Sequence, residues 1–391
     1  AASSMLFFWT NYVHDLLYGY GFDEASGNFQ LDNLGRADSG AADQVHGFAQ
    51  FGYLECPKTE EQCRNNANFA TPPDGKPGVM KYYIFNTSPV APTNRDSTVD
   101  RDVVAHELMH GVVSRLTGGR RDGACVENRE ASGMNEGWAD ALAWTIAMTP
   151  ADTNTSLKSV GSWSTGTSVG IRTYPYSTNG TVNPTHYGYI NKQEIATAPH
   201  DIGSVWSAML YEVFWNIASQ AKAFGDLEDS KGQGSNNIFL RYLITGLKLQ
   251  PCNPTFIQAR DAFLLADATI GNKAYLCAIW QGFAKRGLGS AANGTDNPWM
   301  HVPSWTVPAE CSAVPDADKV GEKEWVQPTT PLTFPPQGAE LTKASIADKP
   351  KNGKAPSPAA TTPTTKKTGP TGAVIPNAAG KCEHSIGSVL A

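Results

Sequence analysis

The five residues His106-Glu107-Leu108-Met109-His110 constrain this chain more than any other stretch. Residues four apart on a helix lie one above the other with Cβ atoms about 5–6 Å apart, so both imidazoles can bind one ion. Val104, Leu108, Val112 and Leu116 form a separate apolar row on roughly the opposite side. The pattern predicts a helix over 101–116, ended by Gly118-Gly119. Such a helix packs one side and shows its histidines on the other, as the floor of a cleft would. Glu107 stands one position off the ligand row. From there it can reach a zinc-bound water as general base without becoming a ligand.

A catalytic zinc takes a third protein ligand and keeps one position for water. The longer pattern His-Glu-x-x-His-x-x-Gly-x-x-His is absent, because Val113 stands in place of its glycine and Leu116 in place of its last histidine. That excludes the metzincin branch. Downstream, Met134-Asn135-Glu136-Gly137-Trp138-Ala139-Asp140 places Glu136 and Asp140 on one face of a second helix, expected over 133–148. Glu136 is the expected third ligand, and Asp140 the acceptor that orients a ligating histidine. Glu130 is the competitor. It precedes Ser132-Gly133, which reads as the approach to that helix, whereas Glu136 sits among Trp138, Ala139 and Leu142. Reaching Glu136 needs a longer connection, and the glycines and charges of 118–125 supply it.

The 391 residues suffice for two packed lobes, each with its own core. Lys and Arg number 31 against 37 Asp and Glu, with no basic cluster before the C-terminal tail, which argues against a nucleic-acid partner. No apolar run approaches the roughly 18–20 residues that span a bilayer. Leu6-Phe7-Phe8-Trp9 lacks a basic flank and is followed by His14 and Asp15, so it is not a signal peptide; a secreted form would already have lost its leader. None of the cysteines at 56, 63, 125, 252, 277, 311 and 382 makes a CxxC pair. Cys56 and Cys63 are close enough for a local bridge, and Cys252 and Cys277 flank one helical pattern. Together with glycosylation acceptors at Asn86, Asn154, Asn179 and Asn293, they point to the secretory route.

The first hundred residues are mixed, with a helix over 3–20 and a strand over 79–85. Helical patterns dominate from 98 to 288, notably over 201–223, 236–249, 255–270 and 273–286, with a loop region over 161–189. After Cys311 the composition turns to Pro, Thr, Ala and Lys. The expected organisation is a mixed lobe over 1–117 ending in the metal helix, a helical lobe over 118–311, and a disordered tail over 312–391.

At these residues the chain resembles the fungalysin family, secreted fungal metalloproteases related to thermolysin. The likeness runs from about Phe8 to Gly289 and includes His14-Asp15-Leu16-Leu17-Tyr18, the run 65–75, the run 102–111, Glu136-Gly137-Trp138-Ala139-Asp140 and Gln250-Pro251-Cys252-Asn253-Pro254-Thr255-Phe256. The resemblance implies an α+β, two-lobed, thermolysin-like fold with the zinc helix between a β-rich and a helical lobe. It implies one catalytic zinc, a removable propeptide acting as inhibitor and chaperone, and endopeptidase activity favouring hydrophobic residues after the cut. By position, His106, His110 and Glu136 resemble the zinc ligands and Glu107 the base. His200 resembles the histidine that stabilises the oxyanion, against the alternative that it only caps a helix. Arg172, 28 residues upstream of His200, has the spacing of the arginine that binds the substrate carbonyl; otherwise it braces a loop. Ile171 and Val103 then line the pocket beyond the scissile bond, and Asn66 and Ala67 fall where the substrate strand is contacted. By spacing alone thermolysin would select Glu130, 20 residues after His110, rather than Glu136 at 26. Only 105 residues precede His106, so part of the β-rich lobe is expected to be missing. The tyrosine that assists the oxyanion in thermolysin has no match, and Glu127 falls there.

The expected activity is hydrolysis of internal peptide bonds by a zinc-activated water, in a secreted monomer. One rival is a zinc aminopeptidase, which needs acidic residues to hold a free amine. The other is a catalytically impaired binding module of the same fold. No nucleic-acid or membrane partner is expected, and the partners are protein or peptide substrates and the propeptide.

Overall fold

In the computed structural model the described residues are 1–38, 40–53, 63–192, 198–221, 224–294, 300–326 and, as backbone, 388–390. The fold is mixed α+β. A first helix, α1 (Ala2–Gly19), is followed by short strands β1 (His46–Phe48), β2 (Ala67–Ala70) and β3 (Val79–Tyr82), which with β8 (Ser388–Leu390) make a sheet in the order β2-β3-β1-β8. The strand expected over 79–85 divides at Tyr83 into β3 and β4 (Ile84–Phe85). The division comes from partner exchange: Tyr83 N donates to Asn66 O, while Ile84 and Phe85 pair antiparallel with β5 (Arg95–Asp96).

The metal-motif helix, α2 (Arg101–Leu116), is capped by the Asp100 side chain on the Asp102 N–H. It is buried on every face from Val103 to Leu116, so the expectation of one packed and one open face is corrected. Its polar side is covered by α3 (Arg129–Ile146) rather than by solvent. Arg115, at the end of α2, is buried and donates to Asp43 Oδ2 at 2.7 Å and Asp74 Oδ1 at 2.9 Å, with its guanidinium 4.4 Å from the Phe29 ring centroid. That network ties the loops between α1 and β3 to the helix.

α3 starts earlier than the pattern suggested, because Asn128 accepts from the Ala131 N–H and caps it there. After the short α4 (Ser162–Thr165) come α5 (Pro199–Ala218), α6 (Ser235–Leu249), α7 (Phe256–Ile270) and α8 (Leu276–Lys285). Thr255 and Gln258 form a reciprocal capping box at the start of α7. Trp138, Trp144, Trp206, Phe214, Phe239 and Phe263 are buried in the core that these helices share. The hairpin of β6 (Asn293–Gly294) and β7 (His301–Val302) completes the described elements. Cys252 and Cys277 bridge elsewhere, to Cys125 and Cys311 respectively, and Cys56 lies outside the described residues.

The expected tail over 312–391 begins too early. Val314 and Val320 are buried, Val320 N donates to Lys285 O, and Trp305 Nε1 donates to Val320 O at 3.0 Å. A segment poor in large apolar residues is held here by backbone bonds and two valines, which composition does not register. Residues 327–387 lie outside the described set.

α3 and α5 touch through glycines. A Cβ on Gly203 would lie 2.4 Å from Glu136 Cβ and 2.6 Å from Gly133 O, both closer than atoms can approach. Gly203→Ala should therefore lower stability by about 1–3 kcal/mol in chemical denaturation, the usual cost of overpacking. Unchanged stability would mean that the two helices are not packed this closely.

Candidate metal centre

α2 and α3 cross so that three side chains converge. His106 Nε2 is 3.4 Å from one Glu136 oxygen and His110 Nε2 is 3.7 Å from the other. The two imidazoles stand nearly perpendicular, at 86°, with centroids 4.6 Å apart. Ligand atoms of His106, His110 and Glu136 all lie within 4.8 Å of one another. Among the described residues one other group, Asp122, Cys125 and Cys252, is as compact, but its sulfurs are joined in a disulfide and offer no thiolate.

The outer nitrogens of both rings face an oxygen acceptor. His106 Nδ1 lies 2.8 Å from Asp140 Oδ1, and His110 Nδ1 donates to Asn135 Oδ1 at 3.1 Å. Those contacts favour a proton on each Nδ1 and leave each Nε2 facing Glu136, where it can give its lone pair to a metal once unprotonated. Asp140 is itself enclosed. Arg172 reaches it with Nε on Oδ2 at 2.7 Å and Nη2 on Oδ1 at 2.9 Å, and the buried Tyr176 hydroxyl also donates to Oδ2. Arg172 Nη2 also reaches Glu136 at 3.2 Å.

Burial alone would raise the Asp140 carboxyl, but Arg172 and His106 hold it below the usual carboxylate range. Glu136 is also held low, its burial outweighed by the histidines. Burial lowers His110 to about 4 and keeps it neutral. His106 suffers the same penalty, yet Asp140 and Glu136 reverse it and raise the ring to about 10. Glu136 and Asp140 thus face two positive groups, the Arg172 guanidinium and the His106 imidazolium, and a bound cation would take the place of the extra His106 proton.

Glu107 lies beside these groups on α2, buried, with Oε2 lacking a hydrogen-bond partner among the described residues. Burial pushes its carboxyl up to about 7. A buried carboxyl with an orphan oxygen and a pKa near neutrality has the properties of a proton acceptor.

His200 stands in the first turn of α5, inside the helix rather than at its cap, and its Nε2 is 3.5 Å from Glu136 Oε2. Its side chain is 66% exposed, so one face of the site opens there. Ile171 and Val103 are neighbours across Gly161: a Cβ on that glycine would lie 2.9 Å from Ile171 and 3.4 Å from Val103. Asn66 is exposed, its Oδ1 accepting from Ala67 N, and Ala67 opens β2, the outer strand of its sheet. Glu130 is placed elsewhere. It lies in the first turn of α3, with one oxygen 3.0 Å from His301 Nε2 and the other accepting from Phe256 N.

Sequence reasoning missed Asn135 and Tyr176. Asn135 adjoins Glu136 in the chain and was within reach of helical geometry. Tyr176 comes from a loop between α4 and α5, and no local pattern announces it.

The model of the fungalysin metallopeptidases, M36, matches residues 1–292. The chain belongs to that family. An extracellular metalloproteinase of Aspergillus niger is 40% identical over 318 residues, covering 80% of this chain and 47% of the relative. One from Pyrenophora tritici-repentis is 42% identical over 301 residues, 75% and 43% of the two chains. Extracellular metalloproteinase 3 of Trichophyton soudanense is 41% identical over 294 residues, 74% and 71%. This fungalysin chain thus spans about half the length of the first two relatives. Membership of a metallopeptidase family implies a metal, and the His106, His110 and Glu136 group has the donors for one.

The two glutamates make opposite predictions. Glu136→Ala should abolish stoichiometric metal binding, because it removes one of three donors. Glu130→Ala should keep the metal and lower only thermal stability, because it unpairs His301 and the start of α7. Metal analysis and melting curves on both purified variants would reverse this order if Glu130 were the ligand.

Proposed function

We propose that this chain is a secreted zinc endopeptidase that cleaves internal peptide bonds of proteins and peptides. The observation that carries the reading is the convergence of His106, His110 and Glu136 beside the orphan carboxyl of Glu107. Two imidazoles and a carboxylate, with Asp140 and Asn135 beside the outer ring nitrogens, suit zinc in a three-ligand catalytic site. Bound there, zinc would act as a Lewis acid on the substrate carbonyl and lower the pKa of its water.

The chain's own residues do the rest. Glu107 takes the proton from the attacking water and passes it to the leaving nitrogen, a role its raised pKa favours. His200, at the open side, donates to the oxygen of the tetrahedral intermediate. Arg172 keeps Asp140 ionised, and Asp140 keeps His106 aimed. That arrangement favours a bracing role for Arg172, with contact to the substrate carbonyl left to any capacity beyond Asp140 and Glu136. Ile171 and Val103 would receive a hydrophobic side chain after the cut. Ala67, at the start of the edge strand β2, and the exposed Asn66 side chain beside it would contact an extended substrate backbone.

We place this chemistry in a two-lobed, thermolysin-like arrangement, with α2 between the β-containing part and the helical part. The exposed glycosylation acceptors and the extracellular relatives support secretion. Among the described residues no helix is long and apolar enough to cross a membrane. A propeptide partner and a monomeric state complete the proposal. A catalytically impaired binding module would not need an intact base beside intact ligands.

Glu107→Gln should retain metal and fold while cleavage of an end-blocked, internally quenched peptide falls by about 10²–10⁴-fold, the usual share of a general base. An active Gln variant would rule out this mechanism. His200→Ala should reduce kcat by about 10²–10³-fold with little change in metal content, as for loss of one oxyanion donor. A loss of melting temperature alone would reduce His200 to a structural residue.

A further inference from the structure

Away from the metal centre, a cavity of about 1090 Å³ lies between the loop over 174–192 and the segment 316–326. That volume reaches the upper range of small-molecule sites, about 300–1,000 Å³. Tyr174, His186, Tyr189, Lys192 and Trp325 line it, and Asn179 stands among the lining residues. The segment 316–326 is held close: a Cβ on Gly321 would lie 2.3 Å from the His186 ring, and the rings of His186 and Trp325 are 6.1 Å apart.

Asn179-Gly180-Thr181 is one of the four glycosylation acceptors, and its geometry differs from those at Asn86 and Asn154. Thr181 donates to Asn179 Oδ1 with both its N–H, at 2.9 Å, and its hydroxyl, at 2.8 Å. Oδ1 is thereby fixed, and the exposed Asn179 has no hydrogen bond from Nδ2 among the described residues. At Asn86 the carboxamide oxygen accepts from Asn65, while the Ser88 hydroxyl is turned away to Val90 O. At Asn154 the Ser156 oxygen faces the Thr153 N–H instead. Thr295, which completes the fourth acceptor, lies outside the described residues.

We propose that Asn179 carries an N-linked oligosaccharide whose core N-acetylglucosamine units lie in this cavity and clamp 316–326 to the loop. In the modification, Asn179 Nδ2 bonds to the anomeric carbon of a lipid-diphosphate oligosaccharide. The bond from that carbon to the diphosphate oxygen breaks, the lipid diphosphate leaves with the electron pair, and Nδ2 loses a proton to the transferase. Tyr174 and Trp325 bring aromatic rings to the cavity wall, where a pyranose ring can stack its C–H face, and Lys192, whose ammonium lies 3.7 Å from the Tyr189 ring centroid, is placed to meet its hydroxyl and acetamido groups. The proposal rests on the secreted reading only in needing passage through a glycosylating compartment.

The test expresses the full chain in a fungal host behind a heterologous leader, so that entry to the pathway is assured. Peptide-N-glycosidase in heavy-oxygen water converts each modified asparagine to a labelled aspartate, which peptide mapping locates. Asn179 should be labelled, and Thr181→Ala should remove that label without altering cleavage of the end-blocked peptide. Release from residue 179 should be at least about 10-fold slower in the native protein than after denaturation, because the core is reached only through local opening. Trp325→Ala should remove most of that protection and leave occupancy unchanged. An unmodified Asn179, or release at the same rate from native and denatured protein, would overturn the proposal whatever the peptidase assay shows.

Discussion

The buried carboxylate of Asp140 is the interaction on which the site depends. It accepts from Arg172 and Tyr176 and stands against His106, so three elements of separate origin meet on one charge. An ionised carboxylate at that depth would be unfavourable alone. Arg172 makes it tolerable, and the same pair then fixes which nitrogen of His106 faces inward. The proposed metal ligand His106 is therefore aimed by a residue two contacts away, in a loop that carries no recognisable motif.

A second constraint is distance. Glu136 can meet both histidines only if α3 packs tightly on α2 from one side and α5 approaches from the other. The glycines at 133, 137 and 203 allow the second approach, and the result brings His200 within 3.5 Å of Glu136. Close helix packing and the reach of His200 to the carboxylate thus have one cause. Glu136 and Asp140 face Arg172 and a protonated His106, so a metal cation would bind there by displacing the proton from His106 Nε2.

The parts of this arrangement that follow helical periodicity were legible in the sequence. His106, Glu107 and His110 could be assigned to one helix from spacing, and Glu136 with Asp140 to another, because each pair is four residues or fewer apart. What covers the histidines was not legible. The full burial of α2 results from α3 lying across its polar side, a tertiary event with no local signal. Tyr176 and the bracing contacts of Arg172 arise from a loop whose path no turn rule specifies. The segment after Cys311 misled through composition: Val314 and Val320 are few, but their burial and the bond to Lys285 hold residues that a compositional rule assigns to a tail.

The central claim, that one zinc ion is held jointly by α2 and α3, is tested most directly by anomalous diffraction from crystals of the zinc-loaded protein, recorded above and below the zinc edge. The account predicts one strong peak about 2.0–2.2 Å from His106 Nε2, His110 Nε2 and a Glu136 oxygen. A peak beside Glu130 and His301, or none at the crossing of the two helices, would contradict it.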